Sequence, residues 1–137
     1  MVQQMEKQPQ LHTIAPVYDE NSRILILGSF PSVKSREAAF FYGHPQNRFW
    51  RVVSTVLGCE CPRTVEEKQQ MLHTHHIALW DTIASCEISG SSDSSIREAV
   101  PTDLTIITKH KVFIITKLDR LLCYSCIINW IFAVILL

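Results

Sequence analysis

Residues 24–50, ILILGSFPSVKSREAAFFYGHPQNRFW, carry more information about fold and function than the rest of the chain together. Ile24-Leu25-Ile26-Leu27 is a short continuous apolar run, the pattern of a strand buried on both faces. Gly28 and Pro31 break that run. Ligands of open α/β sheets bind beyond the carboxyl ends of the strands, so residues 28–46 form a loop where chemistry is expected. That loop holds the aromatic cluster Phe40, Phe41 and Tyr42, and it leads into Gly43-His44-Pro45-Gln46-Asn47-Arg48-Phe49-Trp50.

Downstream, Phe49, Val52, Val53 and Val56 recur at helical spacing, with Gly58 placed to stop the helix. Thr64-x-x-Glu67 is a capping box, opening a second helix through about His75. Ile77-Ala78-Leu79-Trp80 reads as a second buried strand with Asp81 at its carboxyl end. Ser89 to Ser95 is a loop, and a short helical turn is expected over 96–99. Pro101-Thr102-Asp103 caps a further short helix, and Val112 to Thr116 reads as a third strand. Residues 1–15 are polar and expected to be loose. Strands alternating with helices predict a parallel α/β sandwich, one domain over 1–137.

Hydrophobic residues make up 47% and charged residues 19% of the chain at zero formal net charge, which excludes a broadly basic nucleic-acid coat. Charge is uneven, however. Between Lys34 and Arg51 stand four basic residues against one acidic, Glu37. A small basic rim beside one cavity is sufficient to meet DNA phosphates, although a solvated loop with scattered charges reads equally well from composition. The five cysteines form an odd set, and the polar start MVQQMEKQPQ lacks an apolar leader core; both point to a reducing, intracellular, cytoplasmic setting. Cys59-x-Cys61 with His73, His75 and His76 departs from the usual C-x-x-C spacing, so no metal is expected.

The pair GSFPS and GHPQNRFW, with VKSREAAFFY between, resembles the deoxyinosine (hypoxanthine) DNA glycosylase branch of the uracil-DNA glycosylase superfamily. The resemblance runs from Pro16 (PVYDENSRILILGSFPSVKSRE) to Val100 (LWDTIASCEISGSSDSSIREAV). It implies a three-layer α/β/α sandwich with a mostly parallel central sheet. It further implies a monomeric base-excision hydrolase acting on double-stranded DNA that carries a deaminated base: hypoxanthine first, with uracil or xanthine as further substrates. Water is the nucleophile, and no metal or organic cofactor is required.

By this resemblance Asn47 is the candidate catalytic residue, its carboxamide able to orient water or donate to the base. An asparagine just before a helix is also an ordinary N-cap, and the two roles can coexist. Ser29 stands where mismatch glycosylases of the superfamily carry an asparagine, so this loop supplies no water-activating amide. Gly28, Ser29 and Phe30 are expected as cavity wall, with Phe30 equally suited to the core. Tyr42 matches the aromatic that stacks on the extruded base, and Phe40 and Phe41 read as core. His44 is a substrate-contact candidate, against a structural role in a turn before proline. Lys34 and Arg48 are phosphate-contact candidates. Asp81 is expected at the site periphery and Ser91-Ser92-Asp93 as a DNA-facing loop.

From Leu121 to Leu137 the sequence LLCYSCIINWIFAVILL is uncharged. Its readings are a membrane anchor at the short limit of a spanning helix, a last buried strand, or an altered or truncated end, the last being preferred. The family's Ser/Pro-rich loop, which presses into DNA after the last strand, has no counterpart after Leu104. That absence predicts a poor or inactive catalyst. The rival functions are therefore an inactive DNA-binding remnant and a membrane-tethered protein.

Overall fold

The computed structural model describes residues 9–116. The tail 121–137 and the first eight residues lie outside that range, and so do the expectations made for them. Two small sheets organise the described chain. The central one has strand order β3-β2-β6 and is wholly parallel, built from β2 (Ile24–Gly28), β3 (Ile77–Asp81) and β6 (Phe113–Thr116). The other is antiparallel, in the order β1-β4-β5, from β1 (Gln10–Leu11), β4 (Ile83–Glu87) and β5 (Arg97–Pro101).

Alternation along the central strands sends side chains to two separate cores. Ile24, Ile26, Ile77 and Leu79 pack with Phe41, Phe49, Trp50, Val53 and Leu72 on one face. Leu25, Leu27 and Ala78 pack with Ile107 on the other. The first layer comes from α2 (Phe49–Leu57) and α3 (Val65–Thr74), the second from α4 (Thr105–Thr108). This is an α/β/α arrangement around a parallel sheet.

Local signals set the helix ends. Gly58 takes φ 71° and closes α2, as its position predicts. Thr64 and Glu67 form the reciprocal capping box of α3. Asp103 Oδ1 accepts the Thr105 N–H at 3.0 Å and opens α4. The buried face of α2 differs from the expected one: Phe49, Trp50, Val53 and Ser54 are buried, while Val52 and Val56 lie half-buried. The large Trp50 ring wins the core over the smaller valines because its indole N–H finds the Phe41 carbonyl at 3.2 Å.

Three further expectations need correction. The helical turn over 96–99 is strand β5 instead, paired with β4 through two register shifts. Residues 10–15 are ordered: β1 pairs with β4, and Ile14 is buried. The loop 28–46 contains a short helix, α1 (Val33–Ala38), capped by the Ser32 side chain on the Ser35 N–H.

Candidate functional site

The register of the parallel pair places the site. β2 and β3 run in step from Ile24↔Ile77 to Gly28↔Asp81, so both strands end at the same level. Beyond those ends lies a cavity of about 320 Å³ lined by residues 28–32 and Ser35, by Phe41, Tyr42 and Asn47, and by Asp81, Ser91 and Asp93. Loops contribute most of its wall, while the sheet contributes its rigid floor.

Asp81 is that floor. It is 4% exposed, and its Oδ2 lies 2.6 Å from His12 Nε2. An ionised carboxylate only accepts, so Nε2 carries the shared proton. The other oxygen, Oδ1, sits over Gly28, where an added Cβ would collide with it. Tyr42 Oη would be 3.3 Å from the same Cβ. Glycine is thus required at position 28 by close approach rather than by a left-handed backbone.

Tyr42 forms one wall. Its backbone is left-handed at φ 52°, a conformation that costs a non-glycine residue about 1 kcal/mol, and its ring stacks on Phe49 at 3.9 Å. Phe40 and Phe41 are buried as expected, although Phe41 also reaches the cavity. Phe30 combines both anticipated roles, being 7% exposed and part of the lining.

Asn47 reaches the lining, and its Oδ1 accepts the Phe49 N–H at 2.9 Å, fixing the start of α2. The N-cap of α2 is Arg48, which makes no side-chain cap bond, so Asn47 braces the helix entry from one residue earlier than expected while lining the cavity. Ser29 does more than build wall: its hydroxyl donates to Asp93 Oδ1 at 2.9 Å. The Val33 N–H donates to Ser91 Oγ at 2.9 Å. Arg36 donates to the Gly90 carbonyl at 2.8 Å and lies over the Phe30 ring. These contacts fasten the 89–95 loop across the cavity mouth, so Ser91 and Asp93 join the site while Ser92 does not.

The remaining candidates lie outside the cavity. His44 is exposed, its Nδ1 accepting the Gln46 N–H and its carbonyl the Asn47 N–H, which is the turn role. Lys34 is ion-paired with Glu37 at 3.1 Å on the outer surface. Arg48 and Arg51 are exposed beside Asn47 and form no ion pair among the described residues. Among the described residues no three His, Cys, Asp or Glu side chains gather as a metal set, and no helix is long and apolar enough to cross a membrane.

Hypoxanthine DNA glycosylase of Methanosarcina acetivorans is 36% identical over 110 residues, 80% of this chain and 66% of that relative. The same-named protein of Methanosarcina barkeri is 36% identical over 84 residues, 61% of this chain and 53% of the relative. A solution NMR structure of a candidate uracil DNA glycosylase from Methanosarcina acetivorans matches with TM-score 0.66 at 33% identity, covering 80% of this chain and 68% of that one. The chain belongs to the hypoxanthine branch of the uracil-DNA glycosylase superfamily. No family model matches it. The chain spans about two thirds of one curated relative and about half of the other.

Within this glycosylase fold, His12 is the residue that sequence reasoning missed, and Asp81 the one it placed too far from the centre. A signal was present. A carboxylate at the end of an apolar strand is buried by its neighbours and needs a partner, and His12 stands in a segment whose Ile14 and Val17 also bury.

Proposed function

We propose that this chain excises deaminated bases from double-stranded DNA, hypoxanthine first, by hydrolysis of the N-glycosidic bond. The observation that carries the reading is one cavity holding three chemistries: the aromatic wall of Tyr42, the carboxamide of Asn47 and the buried acceptor Asp81. Its volume, about 320 Å³, lies at the small end of ligand sites and suits a single planar base.

Chemistry on a base requires its extrusion from the helix into such a cavity. Tyr42, already held by Phe49, offers the stacking surface. Asp81 supplies selectivity. Hypoxanthine, xanthine and uracil each carry a lactam N–H donor, whereas adenine N1 and cytosine N3 are acceptors; guanine and thymine share the lactam N–H, so Asp81 sorts hypoxanthine from adenine and uracil from cytosine only. A fixed carboxylate welcomes the lactam N–H and repels those acceptor nitrogens. Asn47 keeps one lone pair of Oδ1 for Phe49 and has the other for the attacking water, with its NH₂ group available to the base. Arg48, next in sequence to the lining Asn47, and Arg51 are exposed and can meet phosphates. Cys59, Cys61 and Cys86 are free thiols, which supports a reducing intracellular location.

The test is base release from a duplex with one deoxyinosine, by the chain and by its Asn47→Ala variant, which loses both the acceptor for water and the NH₂ donor. The lost tie to the Phe49 N–H should cost about 1 kcal/mol of stability, while release by the folded variant should fall by roughly 10²-fold or more, the scale for losing one positioned polar group. Equal release by the variant would remove Asn47 from the mechanism. A folded chain that binds the lesion and frees no base would refute excision and leave lesion binding as the activity.

A further inference from the structure

We propose that His12 is a positioning residue that sets the base selectivity of the cavity by holding Asp81 in one orientation; the proposal rests on the lesion-recognition reading above. His12 comes from outside the two motifs, 69 positions before its partner. Both side chains of the pair are all but removed from solvent, at 4% and 5% exposure. The residue is held by backbone and ring contacts besides the bond to Asp81. Its backbone N–H donates to the Ala84 carbonyl at 2.8 Å. Its ring meets Phe30 edge-on at 5.9 Å and lies tilted against Phe41 at 6.2 Å. Phe30, Phe41 and Asp81 all line the cavity, so His12 stands directly behind three of its walls.

A carboxylate alone would present either oxygen by rotating about its last side-chain bond. The His12 N–H occupies Oδ2, and that leaves Oδ1, the oxygen over Gly28, for whatever enters. The cavity floor then offers a single acceptor in one place. A base bearing a lactam N–H completes it, and a base bearing an acceptor nitrogen there leaves a buried charge facing a lone pair. Removing the His12 donor frees the carboxylate to turn, and discrimination declines without closing the cavity.

Binding measured on non-cleavable duplexes separates this from a structural role. One duplex carries 2′-fluoroarabino-deoxyinosine, and the other carries the matching unsubstituted purine nucleoside, which lacks both O6 and N1–H. The wild-type chain should favour the inosine duplex by about 10-fold or more, the scale of one hydrogen bond to a charged group. His12→Phe keeps an aromatic ring between Phe30 and Phe41 but has no donor; it should bring the preference to roughly 2-fold by weakening the inosine complex alone. His12→Gln, whose amide N–H can reach Asp81, should restore most of it. Equal weakening of both duplexes by His12→Phe, or an unchanged preference, would overturn the proposal. If His12→Phe fails to fold by circular dichroism, the folded Gln variant decides: retained preference supports the proposal and lost preference overturns it. A wild-type chain that does not distinguish the inosine duplex from undamaged DNA would refute lesion recognition itself, a separate outcome read before any variant.

Discussion

Gly28→Ala tests how tightly the site is built. The new methyl would overlap Asp81 Oδ1 and come within 3.3 Å of Tyr42 Oη. Asp81 cannot yield cheaply, because it is buried and tied to His12. Tyr42 cannot yield either without breaking its stack on Phe49. Overpacking of one methyl in such surroundings costs about 1–3 kcal/mol, and displacement of Asp81 from its histidine adds part of a charged hydrogen bond, so about 2–3 kcal/mol is expected. For a chain of this size that lowers the melting temperature by roughly 10 °C. Differential scanning calorimetry reads it, with Gly58→Ala as the comparison. Gly58 has φ 71° and open space around it, so its cost is backbone strain alone, about 1 kcal/mol. Adding Asp81→Ala should cut the Gly28→Ala penalty to under about 1 kcal/mol, since neighbours in contact are not additive. A melting temperature within ~2 °C of wild type for Gly28→Ala, a shift far below that expected from overpacking, would refute the close-approach argument.

Leu25 is completely buried between the parallel strands and α4, so Leu25→Ala should destabilise by about 2–5 kcal/mol in urea titration with binding geometry intact in the folded fraction. Glu67 has its carboxyl held below the ordinary value by the Arg63 and Thr64 backbone N–H groups, so its contribution is present above about pH 4.5 and is lost as pH falls through the depressed folded value. Glu67→Gln should accordingly flatten the acid limb of melting temperature against pH and leave the neutral limb close to a constant offset. Ser29→Ala removes the tie to Asp93, and the 89–95 loop should then exchange its amide hydrogens faster, measurable by mass spectrometry, while the β2 and β3 amides stay protected.

What was legible in the sequence was local. The apolar run at 24–27, the Gly58 stop and the Thr64-Glu67 box each specify their element within a few residues, and the structure has all three. Asn47 and Tyr42 reach the cavity because the loop that carries them is itself short-range structure. What escaped was long-range. β5 is exposed along its whole length, so Arg97–Pro101 shows none of the alternation that marks a half-buried strand, and Arg-Glu-Ala reads as helix instead. His12 reads as one polar residue in a polar leader until β1 and β4 pair and carry it against Asp81. His44 and Lys34 were chosen by residue type, and turn geometry and a neighbouring carboxylate claim them.

The separation of His12 from Asp81 has a consequence for biosynthesis. A ribosome adding about 5–20 residues per second delivers Asp81 roughly 3 to 14 s after His12, for the 69 positions between them. In that interval the aromatic half of the site is already complete in sequence. Phe40 can stack on Trp50, and the Trp50 indole can reach the Phe41 carbonyl nine residues back, without any contribution from β3. The wall of the cavity is therefore able to gather on the nascent chain, and the polar floor follows when β3 docks beside β2, ahead of the 89–95 loop that crosses the mouth. Until then the histidine has no carboxylate to hold, and the newborn protein has a hydrophobic half-site with no means of telling one base from another.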